Sequence, residues 1–207
     1  IPTLANSFTN QEIQQRYYTT ETTDAVGAFP SEGLPPLLDS VMALDEKIAV
    51  DIYMPGCPPH PDHVFSALVA LVEGRPPVLP EKSVCDTCPT RREGKGQLKT
   101  VRRFLQAPEY GGAGEPLDQM RCLLEQGFMC MGPVTRAGCG GDGILPRCVS
   151  ARVPCRGCYG PVRPNGNQRL DMLNALASNG IDIGSIPESI SMLRFSGAHG
   201  LLRPAHK

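Results

Sequence analysis

The chain has 207 residues, a net charge of −1 and no apolar stretch long enough to span a bilayer. This charge balance argues against a nucleic-acid-binding face, and the N-terminal residues do not read as a signal peptide. Aromatics make up 5 %, Trp is absent, and 22 glycines and 21 prolines account for about a fifth of the chain. Loops should therefore outweigh regular elements. Something besides a large apolar core must hold the chain together, and bound metal can do this because its binding free energy becomes folding free energy.

In chain order, Thr9-Asn10-Gln11-Glu12 reads as a capping box that opens a helix to about Tyr18. A loop rich in Thr, Gly and Pro follows to Pro36, and 37–46 has helical spacing, with Leu37, Leu38, Val41 and Leu44 on one face. Residues 48–53 read as the best strand. The strand leads into Pro55-Gly56-Cys57-Pro58-Pro59, which places Cys57 on a rigid loop at a strand end, where open α/β sheets bind ligands. Residues 61–73 read as an amphipathic helix with Val64, Phe65, Leu68, Val69 and Val72 inward and Gly74 as its stop. Short helices are expected at 98–105 and 116–126, loop from Cys130 to Pro164, a helix from Asn167 to Ser178 and a shorter one at 187–195.

The nine cysteines are Cys57, Cys85, Cys88, Cys122, Cys130, Cys139, Cys148, Cys155 and Cys158. All but Cys57 crowd between 85 and 158, and two CxxC pairs stand among them. An odd count and the CxxC spacing disfavour a disulfide framework. Four thiolates make the ligand set of a structural zinc or of a [4Fe–4S] cluster. A zinc ribbon separates its CxxC elements by about 15–20 residues, whereas 66 residues lie between Cys88 and Cys155. Long, irregular spacing in Gly/Pro loops suits a cubane better. Glycines beside the thiols (Gly132, Gly138, Gly140, Gly157, Gly160) let backbone amides approach sulfur.

The run Met54-Pro55-Gly56-Cys57-Pro58-Pro59-His60-Pro61 resembles the PGCPP signature of [NiFe]-hydrogenase small subunits. Cys122-Leu123-Leu124-Glu125, Cys130 to Thr135, Cys139 and Pro154-Cys155-Arg156-Gly157-Cys158 resemble that family's later cluster motifs, in the same order. The resemblance implies that Cys57 is one ligand of a proximal cluster. It implies that Cys85, Cys88, Cys122 and Cys130 hold a distal [4Fe–4S] cluster, and Cys139, Cys148, Cys155 and Cys158 a medial one. Membrane-bound uptake enzymes use His where this chain has Cys85 and Pro near Cys148. Both departures are similar to the cytoplasmic, methyl-viologen-reducing hydrogenases coupled to heterodisulfide reductase.

The resemblance further implies an α+β, loop-rich fold. Residues 1–80 would be the C-terminal part of a flavodoxin-like proximal-cluster domain, and 81–207 an irregular iron–sulfur domain with short helices. Small subunits carry three more proximal cysteines, the third before a Gly-Gly-Ile-Pro segment. Opening at Ile1-Pro2, the chain reads as the portion after that point. The implied function is electron relay from H2 oxidation at a nickel–iron site in a large subunit, through proximal, medial and distal clusters, to an iron–sulfur or flavin acceptor subunit, heterodisulfide-reductase-like and in the cytoplasm. The chain itself carries no catalytic residue. The alternatives are a free-standing polyferredoxin-like carrier and the small subunit of a deazaflavin- or NADP-reducing hydrogenase.

The remaining polar residues take plainer readings. His60 and His63 flank the PGCPP loop as surface or interface histidines. His199 and His206 lie in the tail, Met54, Met129 and Met131 shield clusters or fill core, and Pro161 shapes the medial loop. The basic run of Arg91, Arg92, Lys95, Lys99, Arg102 and Arg103 is either an ordinary solvated face or a docking patch for an acidic acceptor.

Overall fold

The computed structural model describes residues 8–18, 32–38, 44–94, 96, 98–107, 109–141, 145–163 and 166–186. The chain divides into two compact units, residues 1–51 with 198–207 and residues 52–197. In the first unit, helix α1 runs Asn10–Tyr18. Its capping box is formed: the Glu12 carboxylate accepts the Thr9 N–H at 2.7 Å and the Thr9 hydroxyl at 2.9 Å. The Glu12 N–H donates to Thr9 Oγ1 at 3.2 Å. The same bonds hold the Glu12 carboxyl below its ordinary range, the backbone bond from Thr9 contributing most. The helix expected at 37–46 lies partly outside the described residues, and Leu44–Glu46 forms a 3-10 turn.

The second unit contains α2 (Pro61–Val72), α3 (Val84–Thr87), α4 (Arg147–Ser150) and α5 (Gln168–Ser178). Helix α2 starts at Pro61, where a missing N–H costs nothing, and His60 Nδ1 accepts the Asp62 N–H at 3.3 Å. Its buried residues are Ala67 and Ala70, while Phe65 is 69 % and Val72 90 % exposed. The inward face expected from the periodicity is thus turned outward. The helix sits down on its small residues, and the large apolar ones border an open pocket lined by Phe65, Val69, Arg75 and Val78. Helix α5 keeps its expected bounds. Asn167 Oδ1 accepts the Leu170 N–H at 3.1 Å, and Gly180, at φ 85°, follows its end.

The expected strand at 48–53 does not form. Among the described residues strand pairing is limited to isolated bridges: Ser83 with Arg136, Arg91 with Arg121, Arg102 with Phe128, and Thr135 with Pro161. A strand exists only beside a partner, and local alternation cannot supply one. The helix expected at 116–126 is instead a string of turns, of which Met120 N–H to Pro116 O at 2.9 Å and Gln126 N–H to Cys122 O at 3.1 Å are single closures. That at 98–105 reduces to a 3-10 turn at Phe104–Gln106. The helix expected at 187–195 lies outside the described residues.

A small core anchors these loops. Met120, Leu123 and Phe128 are buried, with Phe104, Ala107, Tyr110 and Leu117 packed against them. Phe104, Tyr110 and Phe128 form a ring triangle with centroids 5.4–5.8 Å apart, and the Arg102 guanidinium stands 4.9 Å above Phe128. The Tyr110 hydroxyl donates to Arg152 O at 2.7 Å, tying in the loop after α4. Gly127 closes the turn before Phe128 at φ 84°, and a Cβ there would stand 2.8 Å from Leu98 Cδ1. Phe128→Ala is expected to destabilise this unit by about 3–5 kcal/mol, read as a fall in the urea midpoint.

Candidate metal centre

The nine cysteines are free thiols, and all lie in the second unit. Four loops bring eight of them into two sets. In the first, Cys85 is on α3 and Cys88 caps its end. That short helix is held by the Asp86 carboxylate, which accepts the Ser83 N–H and hydroxyl, each at 2.8 Å. Its start is pinned across the fold by the Val84 N–H on Thr135 O at 2.8 Å. Cys122 is placed by a two-way tie, Arg91 N–H to Met120 O at 2.9 Å and Cys122 N–H to Arg91 O at 2.8 Å. Cys130 follows the Phe128 anchor. Cys85 lies close enough to Cys130, Cys122 and Cys88 for their charges to act on it.

In the second set, Cys139 and Cys148 are neighbours, and Cys148 acts on Cys155 and Cys158 as well, although Cys130 of the first set acts on Cys155 more strongly than Cys148 does. Cys148 sits on α4, and Cys155 and Cys158 on the loop after it. The two sets meet at one point, where the Cys155 N–H donates to Cys130 Sγ at 3.3 Å. Cys57 is exposed and belongs to neither set, but its backbone lies near the Cys158 thiol and opposes the upward push of burial there.

Burial pushes most of these thiols up. Cys85 lies well above its ordinary range, chiefly through burial and then through Cys130, with Arg92 opposing. Cys130 is pushed up to about 12 by burial, against donors from the Gly132 and Cys155 amides. Cys122, Cys139, Cys155 and Cys158 are raised as well, burial being the first cause in each. Backbone amides oppose this at several of the sulfurs: Glu125 and Leu124 at Cys122, Arg147 at Cys139, Gly157 at Cys155. Donors arranged for an anionic sulfur around thiols kept neutral by burial make a site that asks for a cation.

Among the described residues no three His, Cys, Asp or Glu converge as a single ion requires. A cubane places its four thiolates at the corners of an inorganic core, so they face one another across it. Space beside two of the sulfurs is kept open by Gly132, where a Cβ would stand 3.0 Å from Cys85 Sγ and 3.6 Å from Cys130 Sγ.

The basic run is largely engaged. Arg91 pairs with Glu93 at 2.6 Å. Arg121 bridges Glu93 at 3.3 Å and the buried Glu125 at 3.5 Å, and Glu125 also accepts the Glu93 and Gly94 N–H groups. The Arg92 guanidinium donates to Cys85 O. Lys95 lies outside the described residues, as do His199 and His206.

His60 and His63 are half-buried beside the PGCPP loop. They stack toward Tyr159, with His60–His63 and His63–Tyr159 centroids 6.0 and 6.2 Å apart. They fill the space left by Gly141 and Gly138 beside Cys139. The Tyr159 hydroxyl accepts the His60 N–H at 2.6 Å, which ties the PGCPP loop to the second CxxC. Tyr159, Thr135 and Gln168 escaped the sequence reading. An aromatic next to a CxxC is a weak hint for Tyr159, and nothing local marks the other two.

Comparison with known proteins covers most of the chain. The family described as NADH ubiquinone oxidoreductase, 20 Kd subunit, matches residues 9–71. A subunit of the vhu F420-non-reducing hydrogenase of Methanococcus voltae is 42 % identical over 87 % of this chain and 58 % of its own length. The corresponding protein of Methanocaldococcus jannaschii is 39 % identical over 93 % and 62 %. The iron-sulfur subunit of the F420-non-reducing hydrogenase of Archaeoglobus profundus is 36 % identical over 86 % and 58 %. The chain thus spans 58–62 % of the length of these relatives.

Tyr159→Phe leaves the partly buried His60 N–H without its acceptor. It is expected to cost about 1–3 kcal/mol and to speed hydrogen exchange at the His60 amide, while the Phe128 anchor region exchanges as before.

Proposed function

We propose that this chain is the electron-relay portion of a [NiFe]-hydrogenase small subunit. The observation that supports the reading is the closeness of Cys85 to Cys88, Cys122 and Cys130, and of Cys148 to Cys139, Cys155 and Cys158, in a chain similar over most of its length to subunits of F420-non-reducing hydrogenases. Cys85, Cys88, Cys122 and Cys130 would hold a distal [4Fe–4S] cluster, and Cys139, Cys148, Cys155 and Cys158 a medial one. When bound, such clusters accept and release single electrons. Cys57, alone on its loop, would give one ligand to a proximal cluster. A cubane needs three more thiolates, which another part of the assembly would supply.

The protein's own contribution is placement. The Phe128 core and the Val84–Thr135 and Arg91–Cys122 ties hold the first set. The Tyr159–His60 bond holds Cys57 against the second set. The chain offers conduction, and the H2 chemistry would belong to a nickel-bearing large subunit. The exposed apolar residues of α2 suit such a partner, because a patch of this kind is normally covered. Residues 1–80 would form part of a flavodoxin-like domain. A heterodisulfide-reductase-type acceptor and a cytoplasmic setting belong to the same reading, and its support is the resemblance of the cysteine motifs to that branch of hydrogenases.

Reconstituted anaerobically, the chain is expected to hold about eight iron and about eight sulfide, and stoichiometric zinc with little iron would refute the reading. Cys148→Pro should leave the medial site three-coordinated, so that the oxidised protein gains a [3Fe–4S] EPR signal and a higher medial potential. A parent that already shows that signal in full amount would remove Cys148 from the ligand set.

A further inference from the structure

Thr90 carries a buried hydroxyl whose hydrogen-bond partner is a sulfur. The residue is 7 % exposed, and its Oγ1 stands 3.1 Å from Sγ of Cys88, two residues back. Among the described residues that hydroxyl has no second hydrogen-bond partner. The segment that carries it is fixed on both sides. Cys88 closes α3 with its N–H on Cys85 O at 3.4 Å, and Pro89 follows with its φ locked by the ring. Arg91, next after Thr90, donates its N–H to Met120 O at 2.9 Å and accepts the Cys122 N–H at 2.8 Å. The sulfur–hydroxyl contact thus sits in a short stretch pinned between two cysteines of the first set.

We propose that Thr90 is a positioning residue for the Cys85–Cys88–Cys122–Cys130 centre and raises its potential by donating its hydroxyl proton to Cys88 Sγ. The inference rests on the cluster reading above. A hydroxyl and a thiol can each donate to the other, so in the free chain this bond has two possible directions. An iron-bound sulfur is a thiolate, which has no proton to give and can only accept. The hydroxyl must then be the donor. Its acceptor is now anionic, and charge-assisted hydrogen bonds are roughly twice as strong as neutral ones. Reduction of the centre adds negative charge that the thiolates share. The bond therefore stabilises the reduced state more than the oxidised one, which raises the potential. Val matches Thr in shape and in its stiff χ1, so a side chain needed only for packing would not require the hydroxyl. Removing a purely structural hydroxyl would lower stability and leave the potential alone.

The test uses the full chain, reconstituted anaerobically with ferrous iron and sulfide, as parent, Thr90→Val and Thr90→Ser. Each is titrated electrochemically with EPR detection, and Cys148→Pro, which changes the other centre, assigns the two couples. Thr90→Val should keep its iron and shift the couple of the Cys88 centre downward by about tenfold in the reduced-to-oxidised ratio at fixed poise, 59 mV for one electron. The other centre should titrate as in the parent, and so should both centres of Thr90→Ser. A Val variant that titrates with the parent at full iron overturns the proposal, as does a Ser variant shifted as far as Val, or a Val shift shared equally by both centres. If Thr90→Val fails to assemble, Thr90→Ala carries the same expectation, and loss of iron from both would make the role purely structural and overturn the tuning role. A parent that binds no iron–sulfur cluster would instead sink the cluster reading, so the two failures are distinguishable.

Discussion

Backbone N–H groups aimed at cysteine sulfur are the constraint around which the second unit is arranged. Amides of Leu124, Glu125, Gly132, Arg147, Cys155 and Gly157 all converge on thiols that burial would otherwise keep neutral. The first N–H groups of a helical turn have no partner within it, so the Gly132 and Arg147 amides can serve sulfurs from the starts of their turns. Among the described residues between Val84 and Tyr159 regular structure is limited to short helical turns, and the segments are joined by single bridges. The loops are not slack: each is pinned by a named bond to another loop, and the pins are long-range.

The two thiol sets share structure rather than standing as separate modules. The Cys155 amide donates to the Cys130 sulfur, and the Cys57 backbone lies beside Cys158. A shift in one loop would be felt in the next. The buried line Gln168–Thr135–Met131 extends this coupling to α5, a helix that contributes no cysteine.

Apolar packing plays a secondary but distinct part. The Phe104–Tyr110–Phe128 triangle and Met120 anchor the loop carrying Cys122 and Cys130. Helix α2, by contrast, contributes only Ala67 and Ala70 to the interior and leaves its bulky side chains outside. Its periodicity describes a helix that buries one face, and a face of this kind needs a covering surface larger than the second unit gives it.

Much of the site was legible in the sequence, because cysteine spacing, the Pro-Gly-Cys-Pro-Pro run and neighbouring glycines are local chemical facts. The bounds of α1 and α5 were legible for the same reason. Capping by Thr9 and Asn167 and the stop at Gly180 are settled within one turn of chain. What the sequence could not decide were matters of partnership. Alternation at 48–53 describes a strand only if another strand comes alongside, and turns at 116–126 displace a helix because Cys122 is held by Arg91, far along the chain. The burial of His60 and His63 against the Cys139 loop, and the placing of Thr135 between two thiol sets by Gln168, depend on residues tens of positions apart. Local propensity fixes which groups are available, and only the tertiary structure decides which sulfur, carbonyl or ring each of them meets.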